Sequence, residues 1–320
     1  MAKSPESTLP TPLPFLGILS VTGPDALGFL QGQLSSDVRL LADGRTQLAA
    51  LNTPQGRVVA LARLRLVDDA VYALLPAELL EPVHALLSRF VLRSKVQLRI
   101  ASELRMAWTG DGVESDATPH QHADTPATSH AVEPPATQLV EFNYAKGRRV
   151  VALAAAAAGA MHGQTPIQAA AGDESIGPRR ARLERWLALD IAAGLPQVFA
   201  ATSGAFVPQM LNLDLLDAIS FSKGCYTGQE IVARTQHLGR IKRRLLGYRA
   251  TPGAAPAPLS GLYRDGTKVA EVLMAAALDD GVRLLAVTSL DARGLPLQTE
   301  DGRAAEPVEL PYTVTAGNGI

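Results

Sequence analysis

The chain reads as an α+β protein, and three observations carry that reading. Between residues 15 and 100 the apolar spacing switches between the two-residue period of strands and the three-to-four-residue period of helices. Residues 111–137 break that pattern with Asp, Thr, Ser, Pro and His and almost no apolar side chain. Past a Pro- and Ala-rich stretch at Thr251–Pro258, the remaining sequence holds only short strand candidates separated by turn signals.

In chain order, residues 15–22 form the first expected strand, and Pro24-Asp25-Ala26-Leu27-Gly28-Phe29-Leu30 opens a helix with proline near its first turn. Gln47–Leu51 is a strand, Asn52-Thr53-Pro54-Gln55-Gly56 a turn, and Arg57–Leu66 an alternating strand whose hairpin continues at Val71–Leu75. Pro76–Phe90 places Leu79, Leu80, Val83, Leu86, Leu87 and Phe90 on one helix face, and Val96–Ile100 returns as a strand. This strand–helix–strand–strand–helix–strand order resembles a ferredoxin-like module. The 111–137 stretch is expected to be a surface loop or disordered insertion. His120, His122 and His130 lie in it without a cysteine or an ordered scaffold, which favours a solvated loop over a metal tract. Strands are expected at Gln138–Tyr144 and Arg149–Ala154, while the alanine run through Ala160 fits strand or helix equally. Ala181–Ala193 is a helix stopped by Gly194 and Pro196. After the 251–258 linker, Leu262–Arg264, Lys268–Leu273, Arg283–Val287 and Val308–Val314 are strand candidates, with Asp265-Gly266 as a hairpin turn. Short strands of this kind fit a small β-barrel.

With 320 residues the chain is too long for one small core. A net charge of −1 implies no overall field for polyanions. Its single cysteine, Cys225, rules out an internal disulfide framework and any four-ligand site that needs three or four cysteines, and suits a reducing, cytoplasmic compartment. No apolar run reaches membrane-spanning length, and Met1-Ala2-Lys3-Ser4-Pro5-Glu6 has no signal-peptide hydrophobic region, so a short disordered lead before Phe15 is expected.

The densest cluster of functional groups is Ser222-Lys223-Gly224-Cys225-Tyr226-Thr227-Gly228-Gln229-Glu230, followed by Ile231-Val232-Ala233-Arg234. Gly224 and Gly228 permit positive φ and close approach of another backbone or a ligand. A cation such as Lys223 near Cys225 favours the thiolate, and a helix beginning at Gln229 under a Thr227 or Gly228 cap would favour it further. The opposing reading, a glycine turn around a buried structural thiol, stands level on residue type alone.

Lys223-Gly224-Cys225-Tyr226-Thr227-Gly228-Gln229-Glu230 resembles the signature of the YgfZ family, folate-binding proteins related to the aminomethyltransferase (T-protein) of the glycine cleavage system that serve iron–sulfur enzymes. Ala193-Gly194-Leu195-Pro196, Phe206–Leu213, Gly239 with Arg240-Ile241-Lys242-Arg243-Arg244, and near the start Gly23–Ala26 and Phe29–Leu34, are similar too. The resemblance implies a T-protein-like α+β fold. Two intertwined ferredoxin-like modules (15–110 and 138–240) and a C-terminal β-barrel (241–320) would surround a central folate-binding hole, with 111–137 as an insertion. It implies tetrahydrofolate, or another reduced folate, as cofactor. Cys225 is then the working thiol with Lys223 beside it, and Tyr226, Gln229, Glu230, Arg234 and Arg240 are folate-binding candidates. Implied partners are iron–sulfur enzymes or cluster-assembly proteins, with an indirect link to tRNA modification; direct RNA contact stays open and no membrane is expected.

For the pterin, Tyr226 offers a stacking face, Gln229 and Glu230 hydrogen bonds to ring nitrogens, and Arg234 or Arg240 a partner for the acidic tail. The basic run Arg240–Arg244 reads equally as a solvated strand face or as a contact for that tail or RNA. Two departures from the aminomethyltransferase pattern bear on activity. Where those enzymes carry adjacent acids after the glycine turn, this chain has Arg57-Val58-Val59-Ala60-Leu61, and where they carry a glutamate before the Ala-Gly-Leu-Pro turn it has Ala192. Without these carboxylates, one-carbon transfer lacks its proton-handling and orienting groups, so a folate-dependent aminomethyltransferase is the alternative rather than the main reading. Asp190 is expected on another side of its helix.

Overall fold

The computed structural model describes residues 11–13, 15–43, 46–102, 104–112, 138–144, 147–155, 177–237 and 240–315. Of the insertion expected at 111–137, Asp111 and Gly112 instead belong to a strand, paired with Arg149 and Arg148; the rest of it, its three histidines, and most of the alanine run lie outside the described residues.

The N-terminal half builds an antiparallel five-stranded sheet from β2 (Leu16–Thr22), β3 (Gln47–Asn52), β4 (Val58–Val67), β5 (Ala70–Pro76) and β6 (Gln97–Ile100), in the order β3-β4-β5-β2-β6. Helix α1 (Ala26–Gln33) joins β2 to the β3–β4 hairpin, and α2 (Leu80–Ser88) joins β5 to β6. Each helix thus crosses over one intervening strand, the split arrangement of a ferredoxin-like module, with β3 added at the edge. Leu19, Val21, Leu61, Leu64 and Leu75 are buried on this sheet together with Leu30, Val83 and Leu87 of the helices.

A second sheet, in the order β1-β7-β9-β8, combines β1 (Thr11–Pro12), β7 (Leu104–Gly112), β8 (Gln138–Tyr144) and β9 (Gly147–Ala155). Two expectations change here. The lead before Phe15 is ordered over its last residues: Thr11 and Pro12 pair with Trp108 and Ala107, and Leu13 is buried beside Trp186. The strand of 104–112 was not anticipated, although Leu104, Met106 and Trp108 carry the two-residue period. Helix α3 (Gly177–Ala192) starts a turn earlier than expected, with Pro178 at its first turn. It ends as the sequence requires: Gly194 has φ +66°, and the Leu195 amide donates to the Asp190 carbonyl at 2.9 Å.

The C-terminal part is a closed six-stranded barrel of β10 (Arg243–Ala250), β11 (Gly261–Arg264), β12 (Thr267–Leu278), β13 (Gly281–Ser289), β14 (Leu297–Thr299) and β15 (Ala304–Val308). Asp265 and Gly266 both take positive φ, as a two-residue hairpin needs. The 251–258 stretch does not separate two domains; it is a loop inside the barrel between β10 and β11. The strand expected over Val308–Val314 lies earlier, at Ala304–Val308. Pro311 has no N–H for a ladder, and the chain beyond Val308 leaves the barrel to set Tyr312 against Gly194. Alternation along the barrel strands divides two cores. Leu246, Tyr248, Val272, Leu284 and Ala286 fill the barrel, while Leu245, Leu273, Leu285 and Val287 join the main core with the five-stranded sheet.

Candidate functional site

Two glycine turns lean on each other to form the site. The Asn52–Gly56 turn closes with the Gly56 amide donating to the Thr53 carbonyl at 2.9 Å, and Gly56 has φ +71°. Opposite it, Gly228 has φ +80°, and a Cβ there would lie 2.4 Å from the Thr53 carbonyl oxygen and 3.2 Å from the Asn52 Cβ. No other residue reconciles that φ with that approach. Helix α4 (Gln229–His237) begins immediately afterwards, where the sequence placed it, and Gln209 Nε2 donates to the Val232 carbonyl at 2.8 Å to hold it. Gly224, by contrast, is not in a positive-φ conformation among the described residues, and a Cβ there would meet nothing within 4 Å; only Gly228 has the expected role.

Cys225 is exposed on the crest of this turn, against the reading of a buried structural thiol. Lys223 faces the other way. It is 6 % exposed, and its Nζ donates to the carbonyls of Leu34 and Ser36, both at 2.8 Å. The ammonium lies 5.2 Å from the centre of the Tyr226 ring. The Lys223 hydrogen bonds tie the signature turn to the end of α1.

Burial pushes the Lys223 ammonium down to about 8, with the Asp37 carboxylate opposing and Arg39 reinforcing the shift. The sign of the consequence follows. Between about pH 8 and the ordinary lysine value near 10.4, the unfolded chain holds a proton that the folded chain has released, so stability rises with pH. We expect the urea midpoint of the wild type, taken relative to Lys223→Met, to climb across that window. A flat or falling difference would show that the buried ammonium is not the titrating group.

Tyr226 is 6 % exposed, burial pushes its phenol up to about 12, and its hydroxyl has no hydrogen-bond partner among the described residues. Its ring packs inward against the lysine. Gln229 Oε1 accepts from the Tyr226 amide at 3.3 Å and so closes the turn. Glu230 and Arg234 are exposed on α4, and Arg240 is exposed just before β10.

The basic run divides. Arg244 is buried, donating to both carboxylate oxygens of Asp214 at 2.6 and 2.9 Å and to the Gln209 carbonyl at 3.0 Å. Arg243 pairs with Glu271 at 3.2 Å, and Lys242 and Arg240 remain exposed. Asp190 is likewise internal, bonded to Arg63 at 2.9 Å, while Arg63 also donates to Gln197 at 2.7 Å.

Asn52 was read from the sequence only as a turn residue. It is 1 % exposed, and neither amide atom has a partner among the described residues. Among the described residues no group of His, Cys, Asp and Glu could hold a metal ion, and no helix is long and apolar enough to cross a membrane.

No family model matches the chain. It is 30% identical over 306 residues to the "tRNA-modifying protein YgfZ" of Serratia proteamaculans (strain 568), covering 93% of this chain and 90% of that protein. It is 31% identical over 304 residues to the protein of the same description from Klebsiella pneumoniae (strain 342), covering 89% and 88%. Among solved structures, aminomethyltransferase T of the glycine cleavage system from Bartonella henselae superposes with a TM-score of 0.64 at 15% identity, over 94% of this chain and 85% of that one. The last comparison establishes the T-protein fold: mixed α and β with a closed C-terminal barrel. Together with the identity and coverage of the two curated relatives, it identifies the chain as a member of the YgfZ family.

Proposed function

We propose that this protein binds a reduced folate such as tetrahydrofolate. With Cys225 as its working thiol it would support the assembly or repair of iron–sulfur clusters in client enzymes, and through them tRNA modification. The observation that carries the reading is the exposed thiol of Cys225 on a turn docked, glycine against glycine, over buried polar groups without partners. Those groups fit a folate. The Asn52 amide and the Tyr226 hydroxyl supply the donors and acceptor that a pterin edge needs, and the exposed Arg234 and Arg240 supply cations for its acidic tail. A bound tetrahydrofolate supplies a reduced pterin ring. The protein's own part is to hold that ring and to present a thiol that a partner's cluster or sulfur can reach. A single thiol needs such an outside partner and must be kept reduced, which fits work in the cytoplasm with iron–sulfur enzymes or assembly proteins as partners.

The relatives' description as tRNA-modifying agrees with this role, because enzymes that methylthiolate tRNA depend on clusters. One-carbon transfer is the weaker reading: Val59, Ala60 and Ala192 bring no carboxylate to the positions where the aminomethyltransferases have acids. The test is complementation. In a strain deleted for its own YgfZ-family protein, expression of this chain is expected to restore both iron–sulfur enzyme activity and methylthiolated tRNA. Soluble, folded protein that restores neither would overturn the proposal.

A further inference from the structure

We infer that Asn52 pairs directly with the bound ligand, reading a side-by-side donor and acceptor such as the amino–oxo edge of a pterin. This rests on the folate reading above and names the residue that recognises the ring.

The register between β3 and β4 slips between Leu51 and Asn52, so the last residue of β3 leaves the regular alternation. Irregularities of this kind re-aim a side chain. The Asn52 amide is buried, and neither its oxygen nor its nitrogen has a partner among the described residues. A buried amide left unpaired lowers stability, and an apolar side chain of similar size would remove that cost. The position nevertheless holds asparagine, directly beneath Gly228 of the signature turn. The Tyr226 hydroxyl on the same turn and the Ser36 hydroxyl are also buried without a partner among the described residues. An amide offers one acceptor and two donors in a plane, which matches a ring edge presenting one of each. The amide atoms are closed to solvent and Gly228 of the signature turn packs against the Asn52 Cβ, so a ring that pairs with the amide displaces a turn that begins next to Cys225. Ligand binding and thiol exposure are thereby coupled.

The experiment uses the full chain and 5-formyltetrahydrofolate as probe. Equilibrium binding, thermal unfolding without ligand, and the rate of Cys225 alkylation by iodoacetamide are measured for the wild type, Asn52→Leu and Asn52→Ala. We expect both variants to bind the probe about tenfold more weakly or worse, the scale of losing one bidentate pair. Asn52→Leu without ligand is expected to melt no lower than the wild type and up to about 4 °C higher. Saturating probe is expected to change the alkylation rate in the wild type and not in Asn52→Leu. Wild-type binding retained in both variants overturns the Asn52 assignment alone. A fall in the melting temperature of Asn52→Leu as large as that of Asn52→Ala overturns it too, by showing a structural amide. A wild-type chain that does not bind the probe overturns the folate reading, and the pairing with it.

Discussion

Cys225→Ser is expected to fold and bind folate as the wild type does and to lose all support of iron–sulfur enzymes. The side chain is exposed on its turn, so exchanging sulfur for oxygen removes no packing, and the stability change should stay within about 0.5 kcal/mol. The turn is held by other groups: the Lys223 bonds to Leu34 and Ser36, the Tyr226–Gln229 bond, and the seating of Gly228 on Thr53. On the proposed function, what vanishes is the thiol offered to a partner's cluster or sulfur, which a hydroxyl cannot replace. The measurement pairs complementation with alkylation of the native protein. Rapid labelling of the wild type together with failure of the variant is the expected pair. Full complementation by Cys225→Ser would reduce the thiol to a bystander.

Asp214→Ala is expected to be the most destabilising of the simple substitutions, by about 3–5 kcal/mol. Arg244 is 1 % exposed, and Asp214 receives both of its terminal nitrogens. Truncating the aspartate leaves a guanidinium buried with only the Gln209 carbonyl as acceptor among the described residues. A loss of this size is a large part of the roughly 5–15 kcal/mol by which proteins are stable. Urea unfolding of Asp214→Ala beside the double variant Asp214→Leu/Arg244→Met separates the causes. The double variant should recover much of the loss, since the cost lies in the orphaned charge. Equal destabilisation of both would instead point to packing.

Much of the fold could be read along the chain wherever one physical signal dominated. The strands and helices between 16 and 100 were legible because each buries one regular face, and the stop at Gly194 because a left-handed residue announces it. The strand at 304–308 was misplaced because its one buried residue is Ala305, a faint signal beside Val308 and Leu310. Within the site, the helix start at Gln229 and the role of Gly228 followed from local chemistry. The direction of Lys223 did not, because its acceptors lie nearly 190 residues away in sequence. Arg244 was hidden inside a basic run for the same reason: its carboxylate partner is a matter of tertiary placement. Asn52 looked like any turn asparagine, and only the absence of partners around a buried amide sets it apart.

The barrel is a party wall. Its strands turn Leu246, Tyr248 and Leu284 to an interior of their own and Leu245, Leu273 and Leu285 to the core they share with the N-terminal sheet. Severing the chain ahead of Arg243 would leave the barrel with one side stripped of its covering and the N-terminal part with its interior open to water. Such a barrel is not a portable module that can be traded between proteins or lost by truncation. It has to be inherited with the half of the molecule that it encloses.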